Sequence, residues 1–548
     1  MRGIQLEGVA VQHAGRTIFR DLDWRIGERD RVGLIGPNGS GKSSLLRVIA
    51  GESAADAGRV TRPRGLSIGY LAQEIELTPG RTLLEEARVL PPRLAEVQRE
   101  LDGIEARLAD SQVYGDERKL AHALARQEEA LERFEQLGGG RHEGRVRELL
   151  ARFGFGPEHA DLPTGTLSGG QKKLIALARL ALDSPDVLLL DEPDNHLDLE
   201  AKQGLEAFIR DYDGAVVIVS HDRYLLDDTV DSIAELDEGH LTVYPGNYST
   251  YAAERELRRL RQRKTWSDQQ KEIARIEASI QRFELWASMV VNERHIKQAR
   301  SRRKMLDRME ASGELVDKVR ESKRMGLRIE GGRGSRKALE LSGVSMGFDG
   351  QTLFDGVELL VSHGERVGLI GPNGSGKSVL LRLVLGVLEP AAGRIRIGPS
   401  TRVGYYAQEH ETLDAWLDRT LLDRVRDAAP MTQDAAVAFL LKFLFSYEQV
   451  RQPIGTLSGG ERSRLQLACL VLEKPNLLLL DEPTNNLDIR SAEVLEEALD
   501  DFEGSVLAIS HDRYFLDRAV DRVVALEDAS LREYAGGYTD YLEAVRRA

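Results

Sequence analysis

The chain has 548 residues, of which 41% are hydrophobic and 30% are charged, and its formal net charge is −14 at pH 7. Its length allows two or three domains, and its composition is typical of a globular protein with a hydrophobic core. The longest purely aliphatic runs, at residues 187–190 and 477–480, are far shorter than the about 20 apolar residues of a membrane-spanning helix. The sequence therefore excludes a membrane domain, and since its first residues show no signal-peptide core, it predicts a cytoplasmic protein.

The first predicted element is a phosphate-binding loop. An apolar strand at residues 32–35 leads into the sequence Gly-x4-Gly-Lys-Ser, and a helix follows it. In such a loop the glycines let backbone N–H groups converge on phosphates, and the helix N-terminus adds a favourable dipole. We expect Lys42 to reach the outer phosphates of a nucleotide and the Ser43 hydroxyl to bind Mg²⁺. The predicted ATP-binding residues of this loop are Gly36, Pro37, Asn38, Gly39, Ser40, Gly41, Lys42, Ser43 and Ser44.

A helical arm is predicted next, at about residues 88–140. Spacings of three and four place two apolar stripes on helical faces, and residues 111–115 form the turn between them. The first stripe comprises Leu94, Val97, Leu101, Ile104 and Leu108, and the second comprises Leu120, Leu124, Leu131 and Phe134. The pattern predicts a helical hairpin that projects from the first domain.

Two carboxylates, Asp191 and Glu192, follow the apolar run at residues 187–190. Such runs are typical of buried parallel strands, at whose carboxyl ends ligands gather. Asp191 suits the coordination shell of Mg²⁺, and Glu192 suits polarising the water that attacks a phosphate. His221 follows the next predicted strand, and we interpret it as a contact to the γ-phosphate.

A basic helical linker is predicted at residues 254–337. This segment contains 24 Lys and Arg against 13 Asp and Glu, so it carries a net charge of +11 while the rest of the chain carries −25. Two more apolar stripes predict a helical hairpin over residues 265–310, and the glycines at 331–334 indicate a flexible joint. The stripes comprise Ile273, Ile276, Ile280 and Phe283, and Ile296, Ala299, Leu306 and Met309.

The second half of the chain repeats the first. The phosphate loop returns letter for letter 335 residues later, and the paired carboxylates return 290 residues later as Asp481 and Glu482, followed by His511. The 45-residue difference between the offsets places the arm as an insertion in the first copy. Cys469 is the only cysteine, which excludes an internal disulfide, a cysteine-based zinc site and an iron–sulfur cluster, and we predict a buried packing role for it. The second loop supplies Gly371, Pro372, Asn373, Gly374, Ser375, Gly376, Lys377, Ser378 and Val379.

These elements, together with Gln73 and the sequence Leu-Ser-Gly-Gly-Gln at residues 167–171, form the full motif set of the ABC ATPase superfamily, and they occur twice. The whole chain resembles the ABC-F family more narrowly, because it pairs two cassettes without a membrane domain, carries an arm in the first cassette and has a charged interdomain hairpin. The sequence Asp-Glu-Pro-Thr-Asn-Asn-Leu-Asp at residues 481–488 is also similar to that family. In the first copy Asp194 replaces the usual threonine, a departure that bears on the hydrolysis rate of the first site.

The resemblance implies an α/β fold with two tandem P-loop ABC-type nucleotide-binding domains, at residues 1–253 and 338–548. In the family the signature loop of one domain closes over the nucleotide held by the other. It thus implies a first site built from residues 36–43 with Ser458, Gly459 and Gly460, and a second built from residues 371–378 with Ser168, Gly169 and Gly170. The implied catalytic residues are Glu192, Glu482, His221 and His511, and the implied Mg²⁺ residues are Ser43, Gln73, Asp191, Ser378, Gln408 and Asp481. His13 and Phe348 fall where the family stacks an aromatic side chain on adenine.

ABC-F proteins use ATP-driven closure to enter the tRNA-exit site of the ribosome, so the resemblance implies ribosomal RNA and tRNA as partners of a monomeric ATPase that regulates or rescues translation. A basic hairpin in an acidic chain is suited to RNA phosphate. The candidate RNA contacts are Trp286, Met289, Arg294, Lys297, Arg300, Arg302, Arg303 and Lys304. Antibiotic resistance by ribosome protection, ribosome assembly and, less favoured by the basic linker, an ATPase subunit of a membrane transporter stay open as alternatives, as does a linker that only forms ion pairs with its own acidic residues.

Overall fold

The computed structural model describes residues 3–13, 15–110, 113, 115–289, 293–311, 325–329, 331–332, 334–348 and 350–547. The chain divides into two compact units, one of residues 1–247 with 325–548 and one of residues 248–324. The first unit contains two copies of one α/β fold, which we call the first cassette (residues 3–247) and the second cassette (residues 334–547). Among the residues just given, no helix is long and apolar enough to cross a membrane.

The first cassette contains two sheets. Its strands are β1 (Ile4–His13), β2 (Arg16–Ile26), β3 (Arg31–Ile35), β4 (Ala57–Thr61), β5 (Ile68–Leu71), β6 (Val187–Asp191), β7 (Ala215–Val219), β8 (Ser232–Asp237) and β9 (His240–Pro245). An antiparallel sheet has the order β2-β1-β4, and a six-stranded sheet has the order β5-β6-β7-β3-β8-β9, in which β9 pairs antiparallel with β8 and the other pairs are parallel. The central strands β6 and β7 are buried along their whole length, as their unbroken apolar sequence predicts.

Helices cover both faces of the six-stranded sheet and form the arm. They are α1 (Lys42–Ala50), α2 (Leu83–Ala87), α3 (Pro92–Leu108), α4 (Glu117–Gln136), α5 (His142–Arg152), α6 (Gly169–Asp183), α7 (Leu199–Asp211) and α8 (Arg223–Thr229). Side-chain caps fix several of their starts: Ser168 and Gln171 form a capping box at α6, and the Asp198 carboxylate accepts from the backbone at the start of α7.

The arm is the antiparallel pair α3 and α4. Val97, Leu101 and Ile104 of α3 are buried against Ala130 of α4, with Phe134 partly buried beside them. The second predicted stripe is wrong in two positions, since Leu124 and Leu131 are 49% and 47% exposed. The inner face of α4 uses small or long polar side chains instead: Arg126 and Arg133 both pair with Glu100 across the hairpin.

The helical unit of residues 248–324 contains α9 (Tyr248–Met289) and α10 (Glu293–Ala311). Ile276 and Ile280 of α9 are buried, at 1% and 6% exposure, and lie on the predicted stripe. The other predicted stripe, on α10, falls on side chains outside the described ones. The unit starts at residue 248 and ends at residue 324, both before the corresponding limits of the predicted linker 254–337. It ends before the predicted limit because Met325 and Ile329 are buried in the core of the second cassette.

The second cassette repeats the fold of the first. Its strands are β10 (Lys337–Phe348), β11 (Gln351–Ser362), β12 (Arg366–Ile370), β13 (Ala392–Ile397), β14 (Val403–Tyr406), β15 (Leu477–Asp481), β16 (Ser505–Ile509), β17 (Arg522–Glu527) and β18 (Ser530–Ala535). Its helices are α11 (Lys377–Val384), α12 (Leu421–Ala428), α13 (Gln433–Lys442), α14 (Gly459–Glu473), α15 (Ile489–Asp500), α16 (Arg513–Ala519) and α17 (Tyr538–Arg547). The sheet orders, β11-β10-β13 and β14-β15-β16-β12-β17-β18, match those of the first cassette strand for strand. The prediction of two tandem P-loop α/β domains is confirmed.

Each cassette has its own apolar core between the two sheets. In the first, Leu45 and Leu46 of α1 pack against Leu6 of β1 and Leu189 of β6, all nearly inaccessible to solvent. A second layer covers the opposite face of the large sheet of the second cassette, and Cys469 of α14 lies in it with 3% exposure, as predicted. Burial raises the pKa of the Cys469 thiol to about 12. These cores hold β3 and β6, and their copies β12 and β15, rigidly enough to fix the loops that follow them.

Candidate nucleotide sites

The two phosphate loops have the strand–loop–helix setting that their sequence predicts, between β3 and α1 and between β12 and α11. The last glycine of each loop caps its helix in the left-handed region, with φ of 98° at Gly41 and 99° at Gly376. A Cβ atom at Gly41 would lie 2.3 Å from Cγ2 of Ile18. Glycine is therefore required at this position for both conformation and space.

The lysine of each loop folds back over its own loop. Nζ of Lys42 donates to the carbonyl oxygens of Gly36 and Pro37 at 2.9 and 3.1 Å, and Nζ of Lys377 makes the same two bonds at 2.8 Å each. Burial lowers the pKa of both amines, although the acidic residues nearby oppose this. The positive charge of each lysine is thus held inside its loop, where a phosphate would lie.

An aspartate is the last residue of a buried strand in each cassette, Asp191 of β6 and Asp481 of β15. The loop serine beside each carboxylate, Ser43 or Ser378, acts to lower its pKa. Burial raises the pKa of Asp481 to about 6 and shifts that of Asp191 in the same direction. In each carboxylate the buried Oδ1 atom has no hydrogen-bond partner among the described residues. A serine hydroxyl beside an unpartnered carboxylate oxygen is suitable for Mg²⁺, because this ion prefers oxygen ligands. Phosphate oxygens and water usually complete its coordination in proteins.

The next residue in each cassette, Glu192 or Glu482, has left-handed backbone, with φ of 50° and 49°. Since this conformation is unfavourable for glutamate, its presence in both copies indicates a constraint imposed by the site. The two carboxylates are held differently. Glu192 accepts from the side-chain amides of Gln73 at 2.9 Å and Asn195 at 2.6 Å, whereas Glu482 accepts from the backbone N–H of His511 at 3.2 Å. Burial raises the pKa of Glu482 to about 7 and also raises that of Glu192.

The predicted γ-phosphate histidines lie beside these glutamates. Nε2 of His221 is 3.8 Å from Oε1 of Glu192, and Nε2 of His511 is 3.5 Å from Oε1 of Glu482. Burial, with help from Lys42, lowers the pKa of His221 to about 3, and burial with help from Lys377 lowers the pKa of His511. Both imidazoles are therefore neutral at physiological pH, with one N–H to donate and one nitrogen to accept.

Each phosphate loop is bonded to the opposite cassette. The backbone N–H of Asn38 donates to Oδ2 of Asp488 at 3.1 Å, and its side-chain amide donates to the carbonyl oxygen of Asn486 at 3.1 Å. The same pair of bonds is repeated at the other loop, from Asn373 to Asp198 at 3.3 Å and to the carbonyl oxygen of His196 at 3.2 Å. The two cassettes therefore face each other head to tail, with each loop against the segment that follows the other cassette's carboxylates.

A cavity of about 1010 Å³ lies between the cassettes and is lined by both loops and both signature sequences. The predicted residues on its wall are Asn38, Gly39, Gly41, Lys42, Ser43, Ser44, Gln73, Ser168, Gly169, Glu192, His221, Asn373, Gly374, Gly376, Lys377, Ser378, Val379, Gln408, Ser458, Gly459, Gly460, Asp481, Glu482 and His511. Gly460 lies against Asn38, since a Cβ atom at Gly460 would be 2.8 Å from its amide nitrogen. The equivalent Gly170 packs against the carbonyl of His196.

The two residues that were predicted to stack on adenine do not line this cavity. His13 and Phe348, at the ends of β1 and β10, are exposed and do not line the cavity. Ile18 of β2 and Leu353 of β11 line it instead. Sequence reasoning missed these two apolar residues, although they have equivalent places in the two repeats. Stacking on His13 or Phe348 stays a prediction.

Buried ion pairs of the equivalent arginines Arg223 and Arg513 also join the cassettes, and sequence reasoning missed both arginines. The Arg223 guanidinium binds the Glu496 carboxylate with two nitrogens, one of them at 3.2 Å, and Arg513 binds Glu206. Each guanidinium lies over a tyrosine ring of the opposite repeat, with Arg223 3.8 Å from the ring centre of Tyr514. The sequence signal that could have revealed these arginines is the repeat of Ser-His-Asp-Arg-Tyr in both cassettes. From its local chemistry, however, that sequence predicts a role only for the histidine.

The candidate RNA contacts lie on the helical unit. Trp286 of α9 is 45% exposed, with its ring edge-on to Phe283 at 5.9 Å. Five of the candidate basic side chains on α10 are described and exposed, and one of them, Arg303, pairs with Glu284 of α9 at 3.3 Å. The exposed basic residues are Lys297, Arg300, Arg302, Arg303 and Lys304. The side chains of Met289 and Arg294 lie outside the described ones.

Comparisons with known proteins agree with this geometry. A family model described as "ABC transporter" matches residues 19–195 and 354–485, and a second with the same description matches residues 234–327. The chain is 36% identical to the putative ATP-binding protein YdiF of Bacillus subtilis (strain 168), over 98% of this chain and 82% of that protein. It is 33% identical to ABC transporter F family member 5 of Arabidopsis thaliana, over 99% of this chain and 77% of that protein. Its fold is similar to that of the archaeal ribosome recycling factor aABCE1, solved in complex with the ribosomal stalk protein aP1, with a TM-score of 0.58 at 16% identity over 98% of this chain and 92% of that one.

Proposed function

Because the chain belongs to the ABC-F family of ATP-binding cassette proteins, we propose that it binds two ATP molecules between its cassettes and hydrolyses them to ADP and phosphate. The observation that carries this proposal is the reciprocal contact of Asn38 and Asn373 with the opposite cassette. It brings each phosphate loop up to the other cassette's signature glycines. A nucleotide held there touches both halves, so ATP stabilises the closed arrangement.

In the first site, the backbone N–H groups of the loop and the amine of Lys42 bind the β- and γ-phosphates. Ser43, Asp191 and Gln73 would hold Mg²⁺ in the first site, and Ser378, Asp481 and Gln408 would hold it in the second. When bound, the ion would supply positive charge that offsets the negative charge of the phosphates.

Glu192 and Glu482 are placed to accept a hydrogen bond from the attacking water. A bond forms between the water oxygen and the γ-phosphorus as the bond to the β–γ bridging oxygen breaks, and ADP leaves with that oxygen. Neutral His221 and His511 donate a hydrogen bond to a γ-phosphate oxygen. Loss of phosphate removes the contacts that hold the halves together, so hydrolysis releases the closed form.

We also propose that the closed form binds the ribosome near the tRNA-exit site, contacts ribosomal RNA and tRNA through the helical unit, and regulates or rescues translation. Support comes from charge and exposure: residues 254–337 carry +11 in a chain of net −14, and Lys297, Arg300 and Arg302 face solvent. Such a surface gains affinity for RNA by releasing counterions, so its binding weakens as salt increases.

The test is co-sedimentation of the Glu192→Gln/Glu482→Gln protein with purified ribosomes, in ATP and in ADP, at two salt concentrations. The amide keeps the shape of each site but slows hydrolysis, so the protein should stay closed and pellet with ribosomes in ATP, less so at high salt and little in ADP. A matched control is Glu158→Gln/Glu543→Gln, which changes two exposed glutamates and should pellet like the parent. Equal pelleting of the double mutant in ATP and ADP would contradict the proposal.

A further inference from the structure

Lys202 of α7 reaches across the interface to the second site. Its side chain is buried, and Nζ donates to Oδ2 of Asp222 in its own cassette and to the carbonyl oxygen of His511 in the other, both at 2.9 Å. It therefore joins the segment that carries the first histidine to the segment that carries the second.

The repeat does not supply this contact in the other direction. Adding the offset of 290 to Lys202 gives Ala492, whose side chain has no donor. Its neighbours differ in the same way, since the first cassette has Asp194 and Lys173 where the second has Thr484 and Ser463. The first cassette thus carries one buried acid and two buried amines that its copy lacks.

These charges balance each other with help from Arg513 of the second cassette. Asp222 accepts from Lys202 at 2.9 Å and from Arg513 at 3.5 Å, while Asp194, 5% exposed, lies beside Ser220. Burial alone would lower the pKa of Lys202, but Asp222 and Asp194 outweigh it and raise that pKa. The amine therefore stays protonated, and its bond to the His511 carbonyl is charge-assisted.

The two catalytic glutamates reflect this difference. The peptide that begins at His511 accepts from Lys202 through its carbonyl, and the backbone N–H of the same residue donates to Glu482 at 3.2 Å. Glu192 is instead held by two side-chain amides of its own cassette, from Gln73 and Asn195. Only the second glutamate, among the described contacts, is reached through a residue that the opposite cassette fixes.

We propose that Lys202 is a positioning residue for the second site alone: it fixes the backbone of His511 from the opposite cassette and thereby aims Glu482. Hydrolysis in the second site then requires that the first cassette be docked, with Asp222 and Lys202 in place. The first site has no counterpart of this lysine, because the equivalent residue of the second cassette is Ala492. This inference rests on the proposed ATP hydrolysis.

The test variant is Asp194→Thr/Lys202→Ala, which copies the pair Thr484 and Ala492. It removes one negative and one positive charge, so the net charge is unchanged. Asp222 keeps its ion pair with Arg513, just as the equivalent Asp512 pairs with Arg223 at 3.8 Å in the parent protein. Glu192→Gln in the background leaves turnover to the second site, and Glu482→Gln leaves it to the first. The reference is the same background with Asp194→Thr alone, which already contains any effect of Asp194 on the first site. Relative to it, we expect the ratio of kcat at the second site to kcat at the first to fall about tenfold, as for loss of one charge-assisted hydrogen bond, with KM of the second site within twofold.

A merely structural role would lower both sites together or raise KM, and either result, or an unchanged ratio, overturns the proposal. The control is Arg490→Ala, which removes another cation that crosses the interface, to Glu235 and Asp237, without touching either histidine segment. It should leave kcat of the second site unchanged. Thermal unfolding of each variant checks that it is folded.

The failure of the proposed function would look different, because the parent chain would then hydrolyse no ATP. The inference concerns only the hydrolysis step, so a parent chain without ATPase activity overturns it together with the proposed function. An unchanged ratio in an active parent overturns the inference alone.

Discussion

At the scale of single residues, burial decides the chemistry of the two histidines. His221 faces Lys42, Asp488 and Glu192 in the closed interface, and its pKa falls to about 3. A histidine in the unfolded chain takes up a proton near pH 6.5. As the pH falls below 6.5, the unfolded state therefore binds more protons than the folded state, and the protein loses stability.

We predict that His221→Gln makes the protein less sensitive to acid. Between pH 6.5 and pH 5 the parent should lose up to about 1.4 kcal/mol per pH unit more than the variant, because buried His221 stays neutral while the unfolded chain takes up the proton. The buried carboxylates of Asp481 and Glu482, whose pKa values are raised, act in the opposite direction in both proteins and cancel in the comparison. Thermal unfolding at a series of pH values measures it. His240→Gln, at an exposed histidine, should keep the slope of the parent, and a parallel slope in His221→Gln would rule out the effect.

Single residues also show what the sequence could and could not predict. The loop, carboxylate and histidine positions follow from local motifs, and most of these residues line one cavity. Lys202 could not be assigned in advance, because its partner His511 is 309 residues away and no local pattern joins them. The sequence signal that could have indicated a role for Lys202 is a difference between the repeats, since the equivalent residue of the second copy is Ala492.

At the scale of elements, a buried contact between the start of α8 and the middle of α15 joins the cassettes. We predict that Arg223→Ala, which leaves the Glu496 carboxylate buried without this partner, costs about 3–5 kcal/mol of stability and weakens ATP-dependent closure. Arg518→Ala is the matched control, since Arg518 binds the same carboxylate at 3.3 Å but is 37% exposed, and it should cost about 1 kcal/mol or less. Chemical unfolding and a fluorescence distance between the cassettes measure the two effects, and equal costs would contradict this assignment.

The arm offers a second test at this scale. Leu101 of α3 is buried in the hairpin, whereas Leu131 of α4 is 47% exposed. Leu101→Ala should destabilise the hairpin by about 2–5 kcal/mol, and Leu131→Ala should change its stability by less than about 0.5 kcal/mol. Hydrogen exchange of α3 and α4 reports this directly. Faster exchange in both variants would mean that Leu131 is covered in solution.

The arm also shows where reading periodicity fails. A spacing of three and four predicted two helices, and both are present, but large apolar residues do not always lie on the inner face of a helix. Ala130 takes the central place on α4 because a small residue lets α3 approach, and Arg126 and Arg133 extend to Glu100. The spacing of apolar residues predicts a helix and its apolar face, but it does not show where a small residue allows close packing or which polar side chains pair across the hairpin.

At the scale of the whole molecule, the helical unit and the cassettes differ in charge. We predict that replacing Arg300, Arg302, Arg303 and Lys304 with Gln weakens ribosome binding and reduces its salt dependence, by about 0.7–0.9 in the slope of log K against log salt for each RNA phosphate that is no longer neutralised. Sedimentation at several salt concentrations measures the slope. Replacing four exposed arginines of the second cassette, Arg394, Arg396, Arg532 and Arg546, is the control for net charge. An equal weakening in both proteins would show that only total charge matters.

The tandem architecture was predictable from the internal repeat, while the fit between the halves was not. Each cassette carries its own motifs, so the sequence predicts two folds of one kind. The contacts between them, such as Tyr224 with Tyr514 and Arg223 with Glu496, join residues about 300 positions apart. They depend on the relative placement of two rigid bodies, which no local pattern encodes.

The reciprocal ion pairs have a consequence for assembly. Arg223 and Glu206 belong to the same cassette, and each binds a residue of the other, so the interface has the self-complementary form of a twofold dimer. Joining both halves in one chain makes their association unimolecular and replaces protein concentration by a fixed effective concentration. Under the proposed function, closure is then insensitive to dilution: we expect the same fraction of molecules to close at a given ATP level whether a cell contains few copies or many.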